Sequence, residues 1–109
     1  MKKYKVHISK RFEFLQLGIF QYIYEYSPKN AFVVLEAVAE VIDGLEYMPE
    51  RYQIAREVEE DEELVGLNLR QAIVKNHRVV FLIDDDTVYV AVSCRQKTLP
   101  AEDILLGNQ

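Results

Sequence analysis

Between Leu69 and Cys94 the chain reads LRQAIVKNHRVVFLIDDDTVYVAVSC, three apolar runs separated by two short polar breaks. No other stretch narrows the fold as much. In the last run Val88, Val90 and Val92 alternate with Tyr89, Ala91 and Ser93, the period-2 pattern of a strand with one packed face. Lys75-Asn76-His77 and Asp84-Asp85-Asp86 bring Asn and Asp side chains that tolerate turn conformations, so each break predicts a hairpin connection. The segment reads as an antiparallel three-strand meander.

Upstream the pattern changes period. Tyr4, Val6 and Ile8 alternate with Lys5 and His7 as an opening strand, and Ser9 stands where a helix N-cap would accept an early backbone N–H. Phe12, Leu15, Ile19, Tyr22, Ile23 and Tyr26 then recur at helical spacing. Ser27-Pro28 ends that helix and opens a second, with Ser27 as cap and Pro28 at the first helical position, where a missing donor costs nothing. Phe32, Leu35, Val38, Ala39, Ile42 and Leu45 form the second predicted core stripe, which stops near Gly44 and Pro49. Two helices joined this tightly predict a hairpin lying on one face of a sheet, an α+β arrangement. The first helix carries more apolar surface than its stripe uses: Phe14, Leu17, Phe20 and Tyr24 lie on other sides. They are expected to serve a partner segment or a second copy of the chain, a homodimer.

With 109 residues, half of them apolar, the chain suits one domain with one core. Neither a membrane-length apolar run nor a signal-type leader is visible, and a cytoplasmic location is the expectation. The net charge of −5 is unevenly spread: residues 1–30 hold six Lys/Arg against two acids, and residues 31–63 hold two against eleven. Six of the seven residues from Glu57 to Glu63 are carboxylates, which predicts a solvated, self-repelling loop. The lone Cys94 excludes an internal disulfide and reads as a small apolar residue. Four ungrouped glycines give no phosphate-cradling loop, and His7, His77 and Cys94 have no zinc spacing. No cofactor or metal is expected.

Taken in order, strand, helix, helix and four further strands, the chain resembles the RelE/ParE toxin superfamily of bacterial toxin–antitoxin modules. The resemblance is carried by Ser9, Leu15, Ile19, Tyr22-Ile23 and Ser27-Pro28 in the first part, by Leu45 to Val58 (LEYMPERYQIAREV), and by Leu69-Arg70 followed by His77-Arg78-Val79-Val80-Phe81-Leu82-Ile83-Asp84. It implies a β-α-α-β-β-β-β fold, a two-helix hairpin on a mainly antiparallel sheet, over residues 1–97, with a tail at 98–109. It also implies an antitoxin as partner and one of two chemistries. RelE-like members are ribosome-dependent mRNA endonucleases, whereas ParE-like members share the fold and poison DNA gyrase.

Arg70 matches a catalytic arginine of the nucleases and has the fork to grip a phosphate; it could equally hold the sheet to an acidic neighbour. In many nucleases the last strand leads through an arginine to a histidine-tyrosine pair, and here Arg95 is followed by Gln96, Lys97 and Thr98. Gln and Thr do not exchange protons near neutral pH. A nuclease would have to use Arg70, His77 and Lys97. An isoelectric point near 5.0 also opposes a broad nucleic-acid face. The resemblance therefore lies nearer ParE, with Arg78, Arg95 and Lys97 expected as an exposed target-binding cluster at the end of the meander. A toxin-derived chain that has lost activity and persists as a binding or regulatory protein is the remaining alternative.

Overall fold

The computed structural model describes residues 2–95. Strand β1 (Lys5–Ile8) leads into helix α1 (Lys10–Tyr26) and helix α2 (Pro28–Gly44). A 3-10 turn at Pro49–Arg51 then precedes the short strand β2 (Gln53–Ile54), helix α3 (Glu57–Glu60), a second 3-10 turn at Glu62–Leu64, and the meander β3 (Leu69–Val74), β4 (His77–Asp84) and β5 (Thr87–Arg95). The α+β order read from the sequence is observed, with α3 and the 3-10 turns added to it.

The helix boundaries follow from their caps. The Ser9 hydroxyl accepts the Phe12 N–H at 3.0 Å and donates to the Ala91 carbonyl at 3.1 Å, so one side chain both starts α1 and ties it to β5. Ser27 ends α1 by donating its backbone N–H to Ile23 at 2.8 Å and starts α2 by accepting the Asn30 N–H at 3.3 Å, with Pro28 in the first turn.

The five strands lie in the order β1-β5-β4-β3-β2. β1 runs parallel to β5, with Val6 opposite Val88, and every other pairing is antiparallel. Both hairpins of the meander close through two residues, Lys75-Asn76 and Asp85-Asp86. In each the first of the two adopts the left-handed conformation, φ 56°; Asp85 is suited to it, whereas in the other turn Lys75 takes it rather than Asn76. A bulge between Val80 and Phe81 shifts the β4–β5 register.

The sheet is covered on both faces. Under the helices Phe12, Val34, Val38, Leu45, Val79, Phe81, Val88 and Val90 form the main core. On the back, Ala55, Leu64, Leu69, Val80 and Val92 form a second cluster. The cover there is the acidic segment, which corrects the expectation of a solvated loop. It folds as α3 and a 3-10 turn, with Leu64 and Glu57 buried and Glu59, Glu60, Glu62 and Glu63 left at the surface. Glu57 is held inside because Arg78 meets it: Arg78 Nη1 donates to Glu57 Oε1 at 2.8 Å and to Gln71 Oε1 at 2.6 Å, and Nη2 forms a second ionic hydrogen bond to Glu57 Oε2.

The second helix keeps Val38, Ile42 and Leu45 of its predicted stripe in the core but departs from it in its first turns. Ala31, Val34 and Val38 face inward, whereas Phe32 and Leu35 are 51% and 39% exposed. Small residues let α2 lie close to its neighbours, and the larger ones one position away turn outward.

Candidate functional site

Two concave surfaces stand on opposite flanks of helix α1, among others that it carries. The first is an apolar groove of about 440 Å³ lined by Ile8, Phe12, Glu13, Gln16, Leu17, Phe20 and Leu35. Its outer bank is aromatic: the Phe20 ring lies 5.3 Å from Phe32 and 5.7 Å from Tyr24, and Tyr24 and Phe32 stand 6.3 Å apart. Of the four residues expected to form an apolar patch, Leu17 and Phe20 line this groove and Tyr24 flanks it through Phe20. Phe14 lies outside the lining; it is 68% exposed beneath the Arg11 guanidinium at 5.9 Å.

Three contributors were not legible as surface. Phe32 and Leu35 occupied the predicted core stripe of α2, and Ile8 occupied that of the opening strand. Ala31 and Val34, each one position before Phe32 and Leu35 and leading equally well to Val38, are the signal that would have revealed the first two. A contiguous apolar groove held open at the surface of a small domain is the usual mark of a protein-binding site.

The second surface is a notch of about 230 Å³ lined by Leu15, Gly18, Ile19, Tyr22, His77 and Arg95. β4 and β5 bring His77 and Arg95 into register as direct partners, and the Arg95 guanidinium stands 5.1 Å from the centre of the Tyr22 ring, a cation–π contact. Burial lowers the His77 pKa below its ordinary 6.5, and the Arg95 charge lowers it further. His77 is thereby kept neutral in the fold and protonates more readily when unfolded. Its contribution to stability is complete above pH 6.5 and is lost as pH falls from there towards the folded value. Urea midpoints for the wild type and His77→Gln at pH 7.5 and 5.5 check this: the wild type is expected to lose more stability on acidification than the variant, and equal losses would refute it.

Of the nuclease set, Arg70 and His77 do not converge. Arg70 Nε donates to Asn68 Oδ1 at 2.9 Å, and Nη1 donates to the carbonyls of Glu50 at 3.0 Å and Tyr52 at 2.8 Å. Its fork thus fastens the 50–52 segment to the sheet, through an amide and backbone carbonyls rather than through an acidic side chain. His77 pairs across the sheet with Val74, whereas Arg70 pairs with Phe81. The two therefore stand four positions apart on β3, about 13 Å at ordinary strand rise. Lys97 lies outside the described residues.

The target-binding cluster is corrected at one position. Arg78, expected at an exposed strand end, is 0% exposed. One residue past the turn, strand alternation sends its side chain to the back of the sheet, where Glu57 and Gln71 receive it. Arg95 is exposed, as expected. Cys94 is buried, and that burial pushes its thiol pKa up, the condition of an unreactive cysteine. Among the described residues no cluster of His, Cys, Asp and Glu could hold a metal ion, and no helix is long and apolar enough to cross a membrane.

Comparison with known proteins agrees with this architecture. Residues 6–98 match the family model described as "ParE toxin of type II toxin-antitoxin system, parDE". A solved structure titled "Chromosomal ParDE TA system from P. aeruginosa" superposes with a TM-score of 0.66 at 11% identity, covering 87% of this chain and 98% of the other, a likeness of fold. Among curated proteins none matches at the level of sequence.

Proposed function

The chain belongs to the ParE toxin family of type II toxin–antitoxin systems, and from that premise we propose that it acts by binding a protein target such as DNA gyrase, and that a cognate antitoxin neutralises it by occupying the apolar groove of α1. The observation that carries the choice of protein binding over RNA cleavage is the engagement of Arg70. Its Nε and Nη1 are held by Asn68, Glu50 and Tyr52, so phosphate binding there would first have to break structural hydrogen bonds. The Glu50 carboxylate that feels the Arg70 charge accepts a hydrogen bond from the Tyr4 hydroxyl at 2.6 Å, which lowers its pKa, and His77 stands about 13 Å away along the sheet. Arg95, exposed at the end of β5, remains the described cation best placed to engage a target, with Lys97 beyond it in sequence. Charges at such an edge steer and orient a partner more than they add bulk affinity.

Expression of the chain without its antitoxin tests the reading. Growth arrest, inhibition of gyrase supercoiling by the purified protein, and no codon-specific mRNA cleavage in a purified translation system are the expected results. Arg95→Glu with Lys97→Glu should relieve the arrest while circular dichroism shows a folded chain. Ribosome-dependent cleavage abolished by Arg70→Ala would replace this reading with an endonuclease. Free expression with gyrase untouched would leave a binding protein that has lost its toxicity.

A further inference from the structure

We propose that the notch formed by Gly18, Tyr22, His77 and Arg95 receives a carboxylate side chain of the antitoxin, carried by a segment that crosses α1 over Gly18 from the apolar groove. The inference rests on the groove being the antitoxin seat.

Gly18 supplies the first argument. It stands in the middle of a 17-residue helix, where glycine is the least favourable residue after proline. The fold has no need of it: a Cβ placed there would meet nothing within 4 Å, and the backbone is not in the left-handed region. What the missing side chain does provide is a low saddle on the exposed surface of α1. Leu17 on one side lines the groove and Ile19 on the other lines the notch, so a chain lying across the saddle touches both.

The chemistry of the notch supplies the second. Among the described residues Arg95 has no ion-pair partner; its one neighbour of note is the Tyr22 ring. His77 Nδ1, which lines the same space, is buried without a hydrogen-bond partner. Among the described residues, an unpaired guanidinium and an imidazole nitrogen without a hydrogen-bond partner, beside the apolar walls of Leu15 and Ile19, suit one carboxylate on a short aliphatic stem. A nucleic-acid strand would bring repeated phosphates against a protein of net charge −5, which favours a single acidic side chain from a protein. The groups facing His77 are Arg95 from β5 and Tyr22 from α1, its partner on β3 being Val74. The bound carboxylate is therefore the counter-charge that Arg95 lacks among the described residues.

The free chain can be tested with acetate as probe, titrated at constant ionic strength and followed by NMR. Saturable shifts of the His77 imidazole and Arg95 side-chain resonances are expected, with the His77 titration midpoint moving upward, and both should vanish in Arg95→Gln. Inorganic phosphate run in parallel separates the sources: saturation by phosphate at tenfold lower concentration than acetate would overturn the carboxylate assignment, as would silence of both resonances. For the crossing, Gly18→Ala should raise the melting temperature by about 4 °C, showing the fold intact, and Gly18→Gln should weaken antitoxin binding at least tenfold. If Gly18→Gln binds at full strength while Leu17→Lys does not, the crossing is wrong and the seat stands. If Leu17→Lys is also harmless, the seat itself is wrong.

Discussion

Replacing Glu57 with alanine is expected to destabilise the chain by about 3–5 kcal/mol, because it strands the Arg78 guanidinium in the interior without its counter-charge. Glu57 is 1% exposed and Arg78 0%, and the loss is a large fraction of the 5–15 kcal/mol that small domains possess in all. Arg78→Ala should cost a similar amount, since it leaves the carboxylate buried instead. The paired replacement Glu57→Leu with Arg78→Met should recover most of the loss, because an apolar pair of similar size avoids desolvating either charge. Urea unfolding of the four chains measures these differences. A single variant within about 1 kcal/mol of wild type would mean that water reaches the pair and that the back of the sheet is looser than its burial shows.

Leu17→Lys combined with Phe20→Lys is expected to weaken antitoxin binding by roughly two to four orders of magnitude. Burying two such side chains contributes about 3–6 kcal/mol, and each factor of ten corresponds to about 1.4 kcal/mol. Leu17 is 54% exposed in the isolated chain, so its replacement should leave folding almost unchanged. Phe20 is half-buried among Tyr24 and Phe32, and a thermal melt of Phe20→Lys alone separates its packing role from its contact role. Light scattering tests whether the same face joins two copies. Unaltered affinity and unaltered mass together would remove the groove from any account of this protein's partners.

The elements best marked in the sequence were those whose signals are local. Ser9 and Ser27-Pro28 gave both helix starts because a cap acts within three residues of itself, and the period of 2 in β5 gave the meander. Failures came where the deciding partner lies far away in sequence. Arg78 sits 21 residues from Glu57, and no local pattern shows that one carboxylate in a run of acids will turn inward to meet it. The phase of the first turns of α2, Phe32 and Leu35 against Ala31 and Val34, was missed for a related reason: both stripes are apolar, and only the closeness of the neighbouring elements selects the one with the small residues. Arg70 was legible as a residue of consequence, but its two roles differ only in what lies within 3 Å of it. The notch was invisible because it joins the middle of α1 to two strands about sixty residues later.

The pairing of β1 with β5 sets the timing of assembly. The first strand finds its neighbour in the last, Lys5 opposite Thr87 and Ile8 opposite Val90, and β5 occupies a position between β1 and β4. During synthesis at about 5–20 residues per second, β1 waits roughly 4–16 s for the strand that completes it. Until then β4 has one open edge, the Ser9 hydroxyl has no Ala91 carbonyl to meet, and the helices have only a partial sheet to lie on. Closing so long a loop is entropically costly and late. A ribosome that stops before Thr87 therefore releases a chain without the strand that joins the two ends of the fold.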